Sequence, residues 1–176
     1  MRSEQQQLEL SLAVIEDLKR QGYNQSEIAE VLGVTRQAIS WWQRTYGKRT
    51  PRQTVLEDHF PWKVPAPLGQ SSPYRRLRDH GEFVATGGIG MSVDKLVRLR
   101  AFYRKLRDEG LVVEFDPDIP PEPGVSSRGG WRFRKRTAED ADLLIRVNEH
   151  TNLTTYGRMI WRFPSWEPII PDDDHN

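Results

Sequence analysis

The chain has 176 residues, a length that suits one large domain or two small ones. It contains no cysteine, which excludes a disulfide framework and a thiolate metal site and favours a cytosolic protein. No apolar run approaches the roughly 18 residues of a membrane span, and the N-terminus lacks a secretory apolar region, so we expect no membrane partner.

The net charge of +1 conceals a strong segregation of charge along the chain. Residues 1–60 carry eight basic and eight acidic side chains, whereas residues 61–107 carry ten basic and three acidic ones. Residues 108–127 have only acidic charges, residues 128–136 only basic ones, and residues 137–176 are net acidic. Such blocks predict a bipolar molecule whose basic faces are turned to one side.

An amphipathic helix is predicted over residues 6–20, followed by a second helix that ends at a glycine turn. The second helix begins near Gln25 and Ser26, of which Ser26 is the preferred N-cap type. Its apolar side contains Ile28, Leu32 and, as a further candidate, Val31. Gly33 falls at the turn, where a positive φ costs little only for glycine.

A third helix follows, with Thr35 as a good N-cap. Ala38, Ile39 and Trp42 share one face, which should pack on the preceding helix. The side chains predicted to point outward are Arg36, Gln37, Ser40, Trp41 and Arg44. The only charged residues between positions 35 and 52 are basic, as expected of a surface that faces phosphates.

The ordered set Ala29, Gly33, Val34, Ile39 and Trp42 resembles the helix-turn-helix motif, which lays its second helix in the DNA major groove. The resemblance implies double-stranded DNA as the partner. The predicted contacts are Ser26, Thr35, Arg36, Gln37, Ser40, Trp41, Arg44, Lys48, Arg49 and Arg52. An ordinary helical hairpin is the alternative. Trp41 could also be a core residue, because adjacent tryptophans cannot share one helix face.

Residues 48–70 are predicted to be a basic linker between an N-terminal domain (residues 1–47) and a C-terminal domain (residues 71–170). Its prolines exclude a long helix, although residues 54–60 could form a short one. The linker could be a solvated tether or an arm that tracks a DNA groove. Residues 171–176 are predicted to be an acidic disordered tail.

The C-terminal domain is predicted to be a small α+β unit in a mostly α-helical chain. The predicted elements are a helix over residues 72–84, a glycine turn at 87–90, a helix over 92–109, strands over 111–115 and 131–135, and a helix over 137–148. Gly110 should end the long helix, and residues 159–163 are either a last strand or an anchoring segment. Arg75, Arg76 and Arg78 are expected to be exposed.

This order of elements resembles a winged helix-turn-helix, in which the helix before the hairpin contacts DNA and the hairpin forms the wing. The contacts that the resemblance implies are Lys95, Arg98 and Arg100 on the helix and Arg128 and Arg132 in or beside the wing. Arg75, on the preceding helix, is a further predicted DNA contact. The helix is longer than usual, and the loop over residues 116–130 is long, acidic and rich in proline. A dimerisation or effector domain with a solvated basic helix is the alternative.

The whole architecture resembles that of the immunity repressors of actinobacteriophages: an N-terminal helix-turn-helix, a short basic linker and a C-terminal α+β domain in a cysteine-free chain. The resemblance implies a repressor that maintains lysogeny, acts in the host cytoplasm at the nucleoid, and binds asymmetric sites as a monomer. Two unlike DNA-contacting domains fit an asymmetric site, whereas a symmetric dimer needs a palindrome.

Enzyme chemistry, cofactors and metals are not expected. The four histidines are scattered without metal-ligand spacing, and the GGIG run at residues 87–90 is too short for a phosphate-binding loop. Asp94, Glu114 and Asp116 could mimic the carboxylate cluster of a recombinase or nuclease. Besides a phage-type repressor, the sequence leaves open a dimeric or ligand-responsive regulator and a recombination or packaging protein.

Overall fold

The structure, a computed structural model, describes residues 12–40 and 51–170. Its helices are α1 (Leu12–Arg20), α2 (Gln25–Leu32), α3 (helical over residues 36–40), α4 (Pro51–Gln53), α5 (Ser72–Thr86), α6 (Val93–Asp108) and α7 (Thr155–Ile160). Strands β1 (Leu111–Phe115) and β2 (Trp131–Lys135) form one antiparallel pair. The described chain is therefore helix-rich with a small two-stranded sheet. The predicted tail at 171–176 lies outside the described residues.

Local capping fixes the helix ends, and one predicted cap is wrong. Asn24, and not Ser26, caps α2: its side chain accepts from the Glu27 amide at 3.0 Å, and the Glu27 carboxylate accepts from the Asn24 amide at 2.7 Å. Gly33 adopts φ 66° and ends α2 as predicted. The Thr35 hydroxyl accepts from the Ala38 amide at 3.1 Å, which confirms Thr35 as the cap of α3.

The middle of the chain forms as predicted. Ser71 caps α5 and Ser92 caps α6, while Gly110 (φ 62°) follows the end of α6. The α6 side chains Leu96, Leu99, Phe102, Tyr103 and Leu106 are buried, in contrast to the exposed Val93 and Val97. Strand β1 pairs with β2 from Leu111 opposite Lys135 to Phe115 opposite Trp131.

The helix predicted over residues 137–148 is wrong. Thr137 and Asp140 do form a capping box, but it opens only the 3-10 turn Ala138–Asp140, which ends at Ala141 with φ 47°. The chain then runs extended: Ile145 bridges Val113 in parallel, and Leu143 bridges Arg162. Three consecutive buried residues, 143–145, fit a strand that is covered on both sides better than a one-sided helix.

The segment predicted as a linker contributes to the core. Residues 54–58 form a π-helical turn whose Thr54, Val55 and Leu56 are buried, so this part is not a solvated tether. Buried Trp62 donates its indole N–H to Thr151 at 2.9 Å. The indoles of Trp131 and Trp161 donate to the backbone carbonyls of Leu68 and His59, at 2.8 and 2.7 Å. Three tryptophans thus join this segment to the C-terminal half.

Buried His80 connects α5, α6 and α7. Its Nε2 lies 2.6 Å from the Ile160 carbonyl and its Nδ1 lies 2.5 Å from the Tyr103 hydroxyl. A carbonyl only accepts, so Nε2 carries the proton and Nδ1 accepts from Tyr103. Burial lowers the pKa of His80 to about 4, although the bond to Ile160 acts in the opposite direction. His80 is therefore neutral in the folded protein.

We predict that the free energy of unfolding falls as the pH decreases from about 6.5 towards 4. In this window His80 becomes protonated in the unfolded chain but stays neutral in the folded protein. The complete difference in protonation lowers the free energy of unfolding by about 3 kcal/mol. The raised pKa of Asp79, caused by burial, acts in the opposite direction, so variants must be compared at equal pH. Urea unfolding at pH 7.0, 6.0 and 5.0 measures the slope.

The control for this slope is a pair of histidine substitutions. His80→Gln lowers stability at pH 7 but removes most of the loss between pH 7 and 5, because its side chain does not titrate. His59→Gln changes the half-buried histidine whose pKa burial also lowers, and it should remove a smaller part of the slope than His80→Gln. Equal slopes for the wild type and His80→Gln would contradict the assignment.

Gly129 is predicted to tolerate alanine much less than Gly124, although both have φ 80°. A Cβ at Gly129 would fall on the Ile119 carbonyl oxygen, whereas no described atom lies within 4 Å of one at Gly124. Alanine at either site costs about 1 kcal/mol for the left-handed backbone. The overlap at Gly129 adds about 1–3 kcal/mol. Urea unfolding of both variants measures the difference, and similar losses would contradict the packing of this loop.

Candidate nucleic-acid interface

The N-terminal pair α2 and α3 presents a short polar surface over a small buried contact. Ile28, Leu32 and Ile39 are buried, as the predicted packing of the two helices requires. Val31 is 55% exposed and does not belong to the apolar side. The fixed turn at Gly33 and the cap at Thr35 set the direction in which α3 leaves α2.

The predicted contact residues divide by exposure. Arg36 and Gln37, in the first turn of α3, are exposed, and Ser26 is exposed in the first turn of α2. The Thr35 hydroxyl is engaged in capping, and Ser40 is half-buried. The remaining predictions here, Trp41, Arg44, Lys48 and Arg49, lie outside the described residues, as does Trp42.

Two of the predicted contacts meet at one carboxylate. Glu82 on α5 lies 3.6 Å from Arg52 Nε and 3.1 Å from Lys95 Nζ, and its side chain is 13% exposed. Arg52 of α4 is thereby linked through Glu82 of α5 to Lys95 of α6. Because Glu82 is 30 residues from Arg52, only the folded structure brings this triad together.

Other predicted contacts lie along α5 and α6. Arg98 is exposed and pairs with Asp94 at 3.1 Å, while Arg100 is half-buried. Arg75 is exposed, and its guanidinium donates to the Gln70 side-chain oxygen at 3.1 Å. Arg98 and Arg100 thus lie on α6, and Arg75 lies on the neighbouring helix α5.

The exposure predicted for two further arginines is wrong. Arg76 pairs with Asp79 at 3.1 Å, and its side chain is only 15% exposed. Arg78 is half-buried and stacks over the Tyr74 ring, with 5.6 Å between the guanidinium carbon and the ring centroid. Three arginines in four positions of one helix cannot all point to solvent when the opposite face is packed.

The hairpin supplies the last two predicted contacts. Arg128 is exposed in the loop, and Arg132 lies 3.6 Å from Glu122, which belongs to the same loop. Arg134 donates to Glu114 across the strand pair at 2.9 Å. The acidic loop thus holds at least one basic side chain of β2 in place.

Sequence reasoning missed a further basic pair on α6. Arg104 and Arg107 both donate to Glu167, at 3.1 and 3.2 Å, and the bond from Arg104 lowers the pKa of this carboxylate. Their spacing of three residues on a helix is a usable signal, but the acidic partner lies about 60 positions away.

The predicted carboxylate cluster is not supported by the ion pairs. Asp94 pairs with Arg98 and Glu114 with Arg134, whereas Asp116 lies 3.4 Å from His150. Asp116, His150 and Glu149 place ligand atoms within 4.8 Å of one another, a grouping that sequence spacing alone did not indicate. Because Glu149 and His150 are exposed, and exposed acidic groups commonly occur without a bound metal ion, we assign this group no role in the interface.

Among the described residues, none of the helices is both long and apolar enough to cross a membrane. No protein-family model matches the chain. The chain is 50% identical over 156 residues to the "Repressor-like immunity protein" of Mycobacterium phage L5, an alignment that covers 88% of this chain and 85% of that protein. At this identity and coverage, the chain belongs to the mycobacteriophage family of repressor-like immunity proteins.

Proposed function

We propose that this protein is a transcriptional repressor that binds specific sites in double-stranded DNA. In the proposed mechanism the protein acts by occupying DNA and performs no chemical reaction. Its site of action is the nucleoid of the host cell, where it maintains immunity. The similarity to a protein named for repression and immunity supports the biological role.

The observation that carries the proposal is the first turn of α3. Arg36 and Gln37 project from a helix start whose direction is set by the αL turn at Gly33, the cap at Thr35 and buried Ile39. In a helix-turn-helix, the N-terminal residues of the second helix meet the base edges. Glutamine pairs with adenine and arginine with guanine in the major groove. We therefore infer that α2 and α3 form the first DNA-contacting unit.

We propose that α6 and the β1–β2 hairpin form a second DNA-contacting unit of the winged-helix kind. The order α5, α6, β1, β2 and the basic side chains of α6 support this assignment. Its cations are Lys95, Arg98, Arg100, Arg104, Lys105 and Arg107. Packing of α1 against α5 gives the two units a common support within one chain.

Two unlike units on one chain fit an asymmetric DNA site bound by a monomer. A palindromic site would instead need two copies related by a two-fold axis, each supplying the same unit. The proposed binding mode is therefore one chain on a contiguous site longer than one helical turn.

A footprint of the full chain on DNA selected from a random library tests this proposal. We expect protection of one contiguous, non-palindromic stretch longer than about 10 base pairs, because two units span more than one turn. Sedimentation should give one chain per DNA duplex. A palindrome bound by two chains would contradict the monomeric binding mode. Cleavage of the DNA in the presence of Mg²⁺ would contradict the absence of catalysis. Failure to select any sequence would contradict the assignment as a site-specific repressor.

Gln37→Ala is expected to relax base preference at one position of the selected site. Loss of a bidentate contact to a base edge costs about 1–3 kcal/mol on that site and little on random DNA. Competition binding with the selected site and with its single-base variants measures the effect.

The matched control is Gln21→Ala, which removes an exposed glutamine that bonds Asp17 in α1 at 2.8 Å. This variant should bind like the wild type. If Gln37→Ala weakened the selected site and random DNA by the same factor, Gln37 would contact the backbone and not a base.

A further inference from the structure

A concave surface with a volume of about 600 Å³ lies between the start of α5, the middle of α6 and the hairpin. We call it the basic cleft. It is lined by Arg75, Arg76, Arg98 and Lys105 together with the rings of Phe102 and Phe133. Among the described residues, none that lines it is acidic. The cleft therefore concentrates positive charge where a ligand would be partly enclosed.

The charges of the cleft are only weakly compensated. Arg75 bonds a neutral amide, that of Gln70. Arg98 pairs with Asp94, and Lys105 with Glu109 at 3.5 Å, but all four of these side chains are 45% exposed or more. Exposed pairs of this kind contribute little and exchange readily with other anions. An anion that enters the cleft therefore competes with weak partners.

Arg76 adds a donor whose bonding is incomplete. It lies within ion-pair distance of Asp79, yet neither Arg76 Nε nor Asp79 Oδ2 has a hydrogen-bond partner within the described chain. Burial raises the pKa of Asp79, as expected of a carboxylate that its partner compensates poorly. A small shift of the guanidinium would let it bond a ligand in the cleft.

Helix α5 directs its positive end at the same place. Ser72 and Pro73, its first two residues, line the cleft, and the cap residue Ser71 is buried behind them. A helix of 15 residues carries about half a positive charge at this end, which favours an anion. The opposite wall is Phe133, whose ring centre lies 5.1 Å from Lys105 Nζ.

We propose that the basic cleft binds a phosphate group through Arg75, Arg76, Arg98 and Lys105. Guanidinium forks match the geometry of phosphate oxygens, and the helix end and the cationic rim favour the same charge. The phosphate belongs either to a free nucleotide or to a phosphodiester of bound DNA. Only the second source rests on the proposed function.

The test compares two double variants that remove equal charge. Arg75→Gln with Arg98→Gln removes two exposed cations of the cleft. Lys63→Gln with Arg158→Gln removes two exposed cations that neither line the cleft nor belong to the proposed DNA-contacting units. For each variant, a circular dichroism spectrum and a urea midpoint equal to those of the wild type establish that the protein remains folded.

The first arm is calorimetric titration of the DNA-free proteins with AMP at low salt. Binding to the wild type that weakens at least tenfold in the cleft variant, and less than twofold in the control, identifies a free phosphate ester as a ligand. The second arm is the salt dependence of binding to the selected DNA. A slope of log K against log salt that falls by about 2 in the cleft variant alone identifies a DNA phosphodiester.

Indistinguishable behaviour of the two variants in both arms would overturn the proposal. If the wild-type protein bound AMP in the cleft but bound no DNA, the result would support phosphate binding in the cleft and contradict the proposed function. Normal selection of a DNA site, with equal salt slopes for both variants and no AMP binding, would contradict phosphate binding in the cleft. The proposed function would be unaffected by that result.

Discussion

The neutral imidazole of His80 is the constraint on which the C-terminal half depends. It is fully buried, and its two nitrogens join α6, through Tyr103, to the end of α7, through the Ile160 carbonyl. An aliphatic residue in its place would leave the Tyr103 hydroxyl and the Ile160 carbonyl buried without a partner. The desolvation penalty of these two groups exceeds the net stabilisation that the two hydrogen bonds provide. The basic surface of α6 is therefore oriented by a residue that itself carries no charge.

The elements that could be predicted from the sequence are those that local chemistry decides. Apolar periodicity placed α5 and α6, serine and threonine caps placed their starts, and glycines with positive φ placed the turns at Gly33 and Gly110. The alternation in β2 and the β-rich run of β1 gave the hairpin. Exposure of Arg36 and Gln37 also followed from periodicity, because the opposite face of that helix is apolar.

The features that could not be predicted depend on partners distant in the chain. The capping box at Thr137 is a genuine helix signal, but residues 143–145 gain more from burial between β1 and the segment after α7 than from continuing a helix. Prolines made residues 48–70 look like a linker, and nothing local revealed that Trp131 and Trp161 donate to its carbonyls. Likewise, no spacing rule joins Glu82 to Arg52 and Lys95.

The acidic residues explain how a chain with a net charge of +1 can still offer a basic face. Glu82 pairs with Arg52 of α4 and Lys95 of α6, and Glu167 pairs with Arg104 and Arg107 of α6. A lysine or arginine that is already ordered loses less entropy when it meets a phosphate than one that is free in solution. Because Arg52, Lys95, Arg104 and Arg107 remain 42–55% exposed, a phosphate can approach each of them without displacing packed core. In the proposed complex with DNA, phosphates would replace these carboxylates as partners of the four cations, and the low net charge would limit attraction to phosphates elsewhere on the surface.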